Sequence, residues 1–417
     1  MSGNVDGNEK GGNLSLSSHK ARIDMPKVFR DPLTLDALTA QIGWKKKQGQ
    51  TELKLANISF ANADLAGTAY GDYLITREGP GEIDLNANLV RADARKVSHY
   101  IPLVVGADAR DWLDRAFLAG TSDDVRLRLK GNLADFPFAD GKKGQFQVTA
   151  KFKGGTLDYA PGWPKIENIE GSLAFRGKGM EVDTRQGTIF GVKLGKVHAS
   201  IADLFTGEEV LELQGEAQGS TADTLRFVNE SPVYRRVEGF TDNLKATGNG
   251  ALLLKLTMPL RHIDDSRVQG SYRFLNNRIS DNNLPTLEQV NGVLNFSDSG
   301  VKLENVAAQI FGGPAQINAA SAADGSVKVK VRGKLSASGL RKVLPISIAN
   351  RLHGETDWWA QADVRRQDAD LTVDSTLAGL GIDLPAPFTK RSRDLWPLHL
   401  EKRSTGEKQD RISFTVG

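Results

Sequence analysis

The residue types through which this chain could do chemistry are histidine, serine, glycine-rich loops and tryptophan, and their spacing argues against each. The six histidines, His19, His99, His198, His262, His353 and His399, are scattered. None forms the i, i+4 pair that holds one metal ion on a helix face. His262 with Asp264 and Asp265 comes nearest to a ligand set, but Arg261 and Arg267 beside it favour a charged turn. Serines are plentiful without a nucleophile elbow. The glycines of Gly248-Asn249-Gly250 lack the strand–loop–helix setting that phosphate binding needs. Cysteine is absent, which removes a thiol nucleophile, a disulfide framework and a Cys-bearing zinc cluster. Trp358 and Trp359 suggest sugar stacking, but period two sends them to opposite faces. Ala360, Ala362 and Val364 follow Trp358 on its face, so core packing is the better reading. The chain reads as a non-enzyme, with no catalytic residue, no metal and no cofactor.

Composition narrows the class. Of 417 residues, 39% are hydrophobic and 25% charged, so the chain folds rather than remaining disordered. A net charge of +3 without a long Lys/Arg run excludes electrostatic nucleic-acid binding. The polar, glycine-rich opening, residues 1–12, reads as a flexible lead-in. It has no apolar core of a signal peptide, and no apolar run of membrane-spanning length follows.

What must position any functional residues is a repeat. Trp163 to Gly191 and Leu284 to Gly312 align without a gap, offset by the 121 residues from Pro164 to Pro285. Identical pairs include Gly171/Gly292, Leu173/Leu294, Phe175/Phe296 and the closing Ile-Phe-Gly. A gapless match this long marks a repeat protein. Leu33 to Ala66 is a worn third copy: Ile42 and Trp44 stand where Leu294 and Phe296 do, and Leu53 to Ile58 echoes Val301 to Val306. Helical segments interrupt the strands. Asp108 to Leu118 carries one apolar stripe, with Asp108 as N-cap and Gly120 as C-cap. A shorter helix is expected at Ala92 to His99, and related segments at Ala222 to Val237 and Ala337 to Leu352. The expected blocks are residues 13–91, a degenerate first repeat; 92–221 and 222–336, each a helical insertion plus strands; and 337–417, a further repeat that is cut short.

Between the insertions the strands alternate. Ile83 to Leu89 alternates apolar residues with Asp84, Asn86 and Asn88. Val125, Leu127 and Leu129 interleave with Arg126, Arg128 and Lys130, and Phe146, Val148 and Phe152 with Gln147, Thr149 and Lys151. Leu254, Leu256 and Met258 follow the same rule, as do Val327, Val329 and Val331. One face is apolar and the other charged, the pattern of an antiparallel sheet with one wet face. Asp324-Gly325, Asn291-Gly292 and Ser297 to Gly300 are expected hairpin turns. Helices are too few for a parallel α/β fold. The expected architecture is mainly β: a long, curved, mostly antiparallel repeat sheet with a few short helices. Its apolar face, with Leu173, Phe175, Phe274, Leu294 and Phe296 added to the residues above, is either a closed core or a groove for an aliphatic ligand. Burial is worth about 0.8 kcal/mol per CH₂, so an acyl chain of about 16 carbons loses on the order of 13 kcal/mol in water. A lipid carrier therefore needs an uninterrupted apolar trough.

Several ordered motifs resemble one family. Asn88-Leu89-Val90 leads into Ala92-Asp93 and His99-Tyr100-Ile101-Pro102; Trp112-Leu113, Gly131-Asn132-Leu133, Phe136-Pro137-Phe138 and Tyr159 to Pro164 follow. Asp374 to Lys390, containing Gly381-Ile382-Asp383-Leu384-Pro385-Ala386-Pro387-Phe388-Thr389-Lys390, precedes Trp396-Pro397-Leu398. From Ile83 to Leu400 this resembles the YhdP branch of the AsmA-like, bridge-like lipid transfer proteins. The resemblance implies a periplasmic β-groove in a Gram-negative envelope, anchored to the inner membrane by a segment absent from this chain. It further implies phospholipid as the cargo moved towards the outer membrane, with other envelope proteins as candidate partners. The chain departs from that pattern in lacking the membrane helix and in closing on Ile412 to Gly417, which reads as a strand cut short; it is expected to be an internal piece. The alternative is a structural or assembly-assisting envelope protein with a closed core and no ligand.

Overall fold

A computed structural model describes residues 2–281, 284–343, 347–365, 368–404 and 410–417, without the side chains of residues 347 and 348. Its described residues form 23 strands of one open antiparallel sheet, with short helices between some of them. The chain divides into two units: residues 1–189, 194–215 and 257–266 form the first, and residues 190–193, 216–256 and 267–417 the second.

The first unit holds β1 (Ser2–Asn8), β2 (Gly11–Ile23), β3 (Leu33–Lys47), β4 (Gln50–Ala61), β5 (Leu65–Ile75) and β6 (Glu82–Asp93). A 3-10 segment (Ala94–Tyr100) and helix α1 (Ala107–Ala116) follow, then β7 (Phe117–Asn132), β8 (Gly144–Leu157), β9 (Ile166–Arg176) and β10 (Gly179–Ile189). Each strand from β1 to β10 pairs antiparallel with the next. Residues 2–12, read as a flexible lead-in, carry β1 and the start of β2.

Strands β11 (Val192–Ile201), β12 (Val210–Ser220) and β13 (Lys245–Pro259) and helices α2 (Thr221–Asn229) and α3 (Val233–Arg236) come next. The second unit continues through β14 (Arg267–Ser280), β15 (Leu287–Ser297), β16 (Gly300–Ile310), β17 (Gly313–Ser321) and β18 (Val327–Ser336). Helix α4 (Ala337–Val343) precedes β19 (Leu352–Arg365), β20 (Asp368–Ser375), β21 (Leu380–Ile382), β22 (Leu398–Ser404) and β23 (Asp410–Val416). Here β14 to β20 pair in chain order, β22 joins β20, β23 joins β22, and β21 pairs with the start of β19.

The repeat is a hairpin. In β9–β10, Leu173 faces Val182 and Phe175 faces Met180; in β15–β16, Leu294 faces Leu303 and Phe296 faces Val301. The third copy pairs Ile42 with Leu55 and Trp44 with Leu53 in β3–β4. Positive φ recurs at matching positions, Asn168 with Gln289 and Phe190 with Phe311. The copies therefore share backbone detail as well as side-chain pattern.

Two local expectations are corrected. The helix expected over Asp108 to Leu118 ends at Ala116, with Gly106 as N-cap and Phe117 as C-cap. Phe117 already pairs with Leu157, so the strand ladder claims its backbone before Gly120 can cap the helix. Asn291-Gly292 lies inside β15 rather than at a turn, because the register shifts there and Gly292 takes a φ of 152°. A Cβ at that position would sit 2.7 Å from Val306 Cγ2, so glycine admits the neighbouring strand. Asp324-Gly325 and Ser297 to Gly300 do lie at hairpin ends.

Candidate functional site

In the first unit the period-two pattern and the register combine into rows that cross the strands. One row runs Gly3, Leu16, Ala40, Ile58, Ala69, Ala87, Leu127, Val148, Phe175, Met180, each facing the next. On one side lies Val5, Leu14, Ile42, Leu55, Gly71, Leu85, Leu129, Phe146. On the other lies Ser18, Leu38, Phe60, Gly67, Leu89, Val125, Ala150, Leu173, Val182. None of these residues is charged. At about 4.8 Å per strand the first row spans roughly 43 Å, longer than the ~30 Å hydrocarbon core of a bilayer.

This face is not packed away. Val125, Leu127, Leu129, Phe146, Val148, Phe152, Leu173 and Phe175 are all half-buried. The chain exposes 25605 Å² for a mass of 45.3 kDa. Even two separate compact globules of half that mass would expose only about 19,000 Å².

Loops edge the face. Residues 133–143 fold back so that Phe138, 3% exposed, lies over Gly131 and Gly144; a Cβ on either glycine would come within 2.8 Å of its ring. The Phe136 ring stands 5.0 Å from Phe146 and 6.2 Å from Phe205. Near the other ends of these strands, Trp112 Nε1 donates to the Tyr159 carbonyl at 2.9 Å, and burial pushes the Tyr159 phenol above its ordinary pKa. Ala116 is fully buried there.

The second unit has equivalent rows, among them Tyr272, Leu294, Leu303, Ala319, Val329, Ala362 and Leu371. Val331 lies between Ile317 and Ala360, Val327 between Ser321 and Val364, and Phe296 faces Gly270. Here a core forms: Val290, Val306, Ala308, Ile310, Ala315, Ile317, Trp358 and Ala360 are buried, with Phe274 and Phe311 packed against them. Trp358 is 5% exposed and Trp359 39%, so the pair straddles the sheet as period two requires. Tyr272 donates or accepts with Thr221 Oγ1 at 2.8 Å, tying the start of α2 to the sheet. Lys390, almost fully buried, donates to the carbonyls of Leu377, Leu380 and Arg391. Burial pushes its ammonium below the usual lysine pKa, and Asp394 opposes that shift.

The structure thus gathers the candidate residues into two sets, one in each unit. Leu254 and Leu256 belong to the second unit and Met258 to the first; all three are half-buried beside exposed Lys255 and Thr257. Phe274, Leu294, Phe296, Val327, Val329 and Val331 are half-buried as well. Sequence reading missed the bulges that displace the rows. Register shifts recur between Leu55 and Ile58, Phe152 and Gly155, Phe274 and Asn277, and Leu303 and Val306. Each bends its strand and increases local twist. Asparagine serves two of them: Asn305, at φ 50°, has its N–H accepted by Asn318 Oδ1 at 2.9 Å, and Asn276, at φ 53°, by Asn291 Oδ1 at 2.9 Å. The signal was present as asparagines interrupting alternation, since Asn adopts positive φ more readily than other side chains.

The charged face carries ladders of paired ions. Asp84 accepts from Arg128 and lies 3.1 Å from Lys130; Asp124 contacts Arg126 at 2.9 Å and Lys151 at 3.3 Å. His262 is exposed, 3.9 Å from Glu208, while Arg261 pairs with Glu209 at 3.2 Å. Among the described residues no group of three or more His, Asp or Glu could hold a metal ion. No described helix is long and apolar enough to cross a membrane.

An open antiparallel sheet whose strands alternate apolar and charged residues defines the class of protein. The chain belongs to the YhdP protein family, whose model matches residues 1–417. It is similar to the intermembrane phospholipid transporter YhdP of Escherichia coli (strain K12), at 23% identity over 400 residues, covering 94% of this chain. The chain spans 31% of that relative's length. No solved structure matches it.

Proposed function

We propose that the chain is a non-enzymatic segment of a periplasmic protein and carries phospholipid acyl chains along its apolar face between inner and outer membranes. The observation that carries this is the charge-free row of ten residues from Gly3 to Met180, eight of them half-buried, on consecutively paired strands. A chain sliding over such a row exchanges one apolar contact for the next, so the cost of about 0.8 kcal/mol per exposed CH₂ is never met in full. The name of the E. coli relative supports phospholipid as cargo. In this reading Val125, Leu127, Leu129, Phe146, Val148, Phe152, Leu173, Phe175, Leu254, Leu256, Met258, Phe274, Leu294, Phe296, Val327, Val329 and Val331 touch the acyl chains. The blocks 13–91, 92–221, 222–336 and 337–417 act as successive repeats of the same path, and inner-membrane anchoring falls to a segment outside this chain.

The buried cluster of the second unit favours a second reading for that region, a closed structural core without ligand. One substitution separates the readings in the first unit. Leu127→Arg places a cation in the path, but its side chain reaches water over the open face. The purified wild type should carry phospholipid in native mass spectrometry. The variant should melt within a few degrees of it and carry little. A wild type free of lipid, or a variant that unfolds, would favour the closed core instead.

A further inference from the structure

The loop of residues 383–397, between β21 and β22 of the second unit, has no part in the carrier reading. It bears two large apolar side chains in water, Phe388 at 65% exposure and Leu395 at 67%. Singly exposed apolar residues are ordinary. These two stand on a backbone that is held in place. Ile382 and Lys390 exchange backbone hydrogen bonds at 2.9 and 3.1 Å. The Gly379 N–H donates to the Ser392 carbonyl at 2.7 Å, Trp396 N–H to the Thr376 carbonyl at 2.9 Å and Asp383 N–H to the Arg351 carbonyl at 2.9 Å. From inside, the buried Lys390 ammonium donates to the carbonyls of Leu377, Leu380 and Arg391. Trp396 packs against Ala337, Leu377 and Leu380. A loop braced in this way presents Phe388 and Leu395 outward as a standing arrangement, which marks a contact surface.

Charge says what it contacts. Lys390 turns inward, whereas Arg391 and Arg393 are exposed. Cations on the neighbouring strands have carboxylate partners: Lys334 with Asp357 at 2.9 Å, Arg365 with Asp324 at 2.7 Å and Lys402 with Asp410 at 2.9 Å. The loop's own carboxylates are engaged elsewhere. Asp383 lies 3.2 Å from His353, and Asp394 accepts the Arg391 backbone N–H at 3.1 Å. Among the described residues, no carboxylate pairs with the Arg391 or Arg393 guanidinium. A neutral apolar groove would strip water from both guanidiniums without replacing it. An anionic lipid surface takes all four side chains: the apolar pair enters the acyl boundary while each guanidinium forks onto phosphate oxygens.

We propose that residues 388–395 dock on an anionic phospholipid bilayer, Phe388 and Leu395 entering its interface and Arg391 and Arg393 binding lipid phosphates. The proposal stands apart from the carrier reading, which concerns the apolar rows and needs no bilayer contact by this loop.

The test is flotation of the whole chain with vesicles. Wild type should float with vesicles of mixed phosphatidylcholine and phosphatidylglycerol and stay behind with pure phosphatidylcholine. Arg391→Gln combined with Arg393→Gln should weaken binding about 25-fold, about fivefold for each cation near an anionic surface. Arg391→Lys with Arg393→Lys keeps the charge and should keep most of the binding. Phe388→Ser with Leu395→Ser should abolish flotation at an unchanged Tm, since both side chains already meet water. The arginine variants decide alone should the serine variant fail to fold. Wild type that stays behind with anionic vesicles, or floats equally with neutral ones, overturns the proposal, as does a glutamine variant that floats like wild type. Lipid carried is read separately by native mass spectrometry. Wild type that floats but carries no phospholipid upholds the docking and sinks only the carrier reading; carried lipid without flotation sinks only the docking.

Discussion

The hairpin β9–β10 of the first unit and the hairpin β15–β16 of the second share sequence and register, yet one lies open and the other builds a core. Ile169 and Ile189 are half-buried, whereas their counterparts 121 residues on, Val290 and Ile310, are each 2% exposed. Arg185, exposed, stands where the second copy has Val306, 2% exposed. After the strands, Phe190 lies under the Arg226 guanidinium at 3.9 Å, whereas Phe311 meets Trp358. The difference does not come from the hairpin's own fold, which is the same in both. It comes from the side chains the hairpin carries and meets: Arg185 and Arg226 in the first copy, Val306 and Trp358 in the second. A repeat can therefore keep its backbone while a few residues decide whether its apolar side is buried or left half-exposed.

The strongest way to break this contrast is to move the charge. Val306→Arg gives the second hairpin the residue the first one has, but inside the buried cluster. An unpaired buried cation there should cost about 3–5 kcal/mol, a drop of roughly 10 °C or more in Tm for a unit this size. Differential scanning calorimetry would show the loss confined to the second unit's transition. A shift of only a degree or two would mean the cluster opens to water and the units do not differ in this way.

A milder probe removes methylenes at matched positions. Ile310→Ala should cost about 2–4 kcal/mol, as for buried aliphatic truncations. Ile189→Ala should cost about 1 kcal/mol, because half the side chain already meets solvent in the unliganded protein. Urea unfolding of the two variants gives the comparison directly, and equal losses would erase it.

Much of this was legible in the sequence because it is local. Alternation in Val125 to Lys130 or Val327 to Arg332 fixes which side chains share a face, and the offset of 121 residues fixes that the hairpin is used again. The helical segments announce themselves by composition, although α1 stops two residues early where Phe117 joins a strand. What the sequence did not reveal depends on contacts between distant residues. Phe136 and Phe138 fold over Gly131, Gly144 and Phe146 only because the β7–β8 register brings the glycines opposite one another. Likewise, alternation makes Val306 and Leu127 look alike, since period two reports the face and says nothing of what lies above it. Asn291-Gly292 misled for a related reason: a dipeptide suited to turns also suits a bulge, and the neighbouring strand decides between them.

The smallest expected effect concerns the charged side that each unit carries. Both carry exposed ion pairs there, Asp84 with Arg128 and Lys130 in the first and Lys334 with Asp357 at 2.9 Å in the second. The Arg128 hydrogen bond, joined by Lys130, holds the Asp84 carboxyl below its ordinary pKa. Its folded pKa therefore lies under the unfolded value, near 3.8. The stabilisation is present at pH values above that range and is lost as pH falls through the folded pKa. Because the Asp84 side chain is 38% exposed, solvent screens the pair, and Asp84→Asn at pH 7 should cost about 0.5 kcal/mol or less. The gap between variant and wild type should narrow as pH falls through the folded pKa and the carboxyl becomes neutral. Thermal melts over a descending pH series measure this. A loss above about 2 kcal/mol at pH 7, or a gap that does not narrow as pH falls, would show Asp84 held by packing rather than by charge. The contrast between the units would then extend to the face on which they are expected to agree.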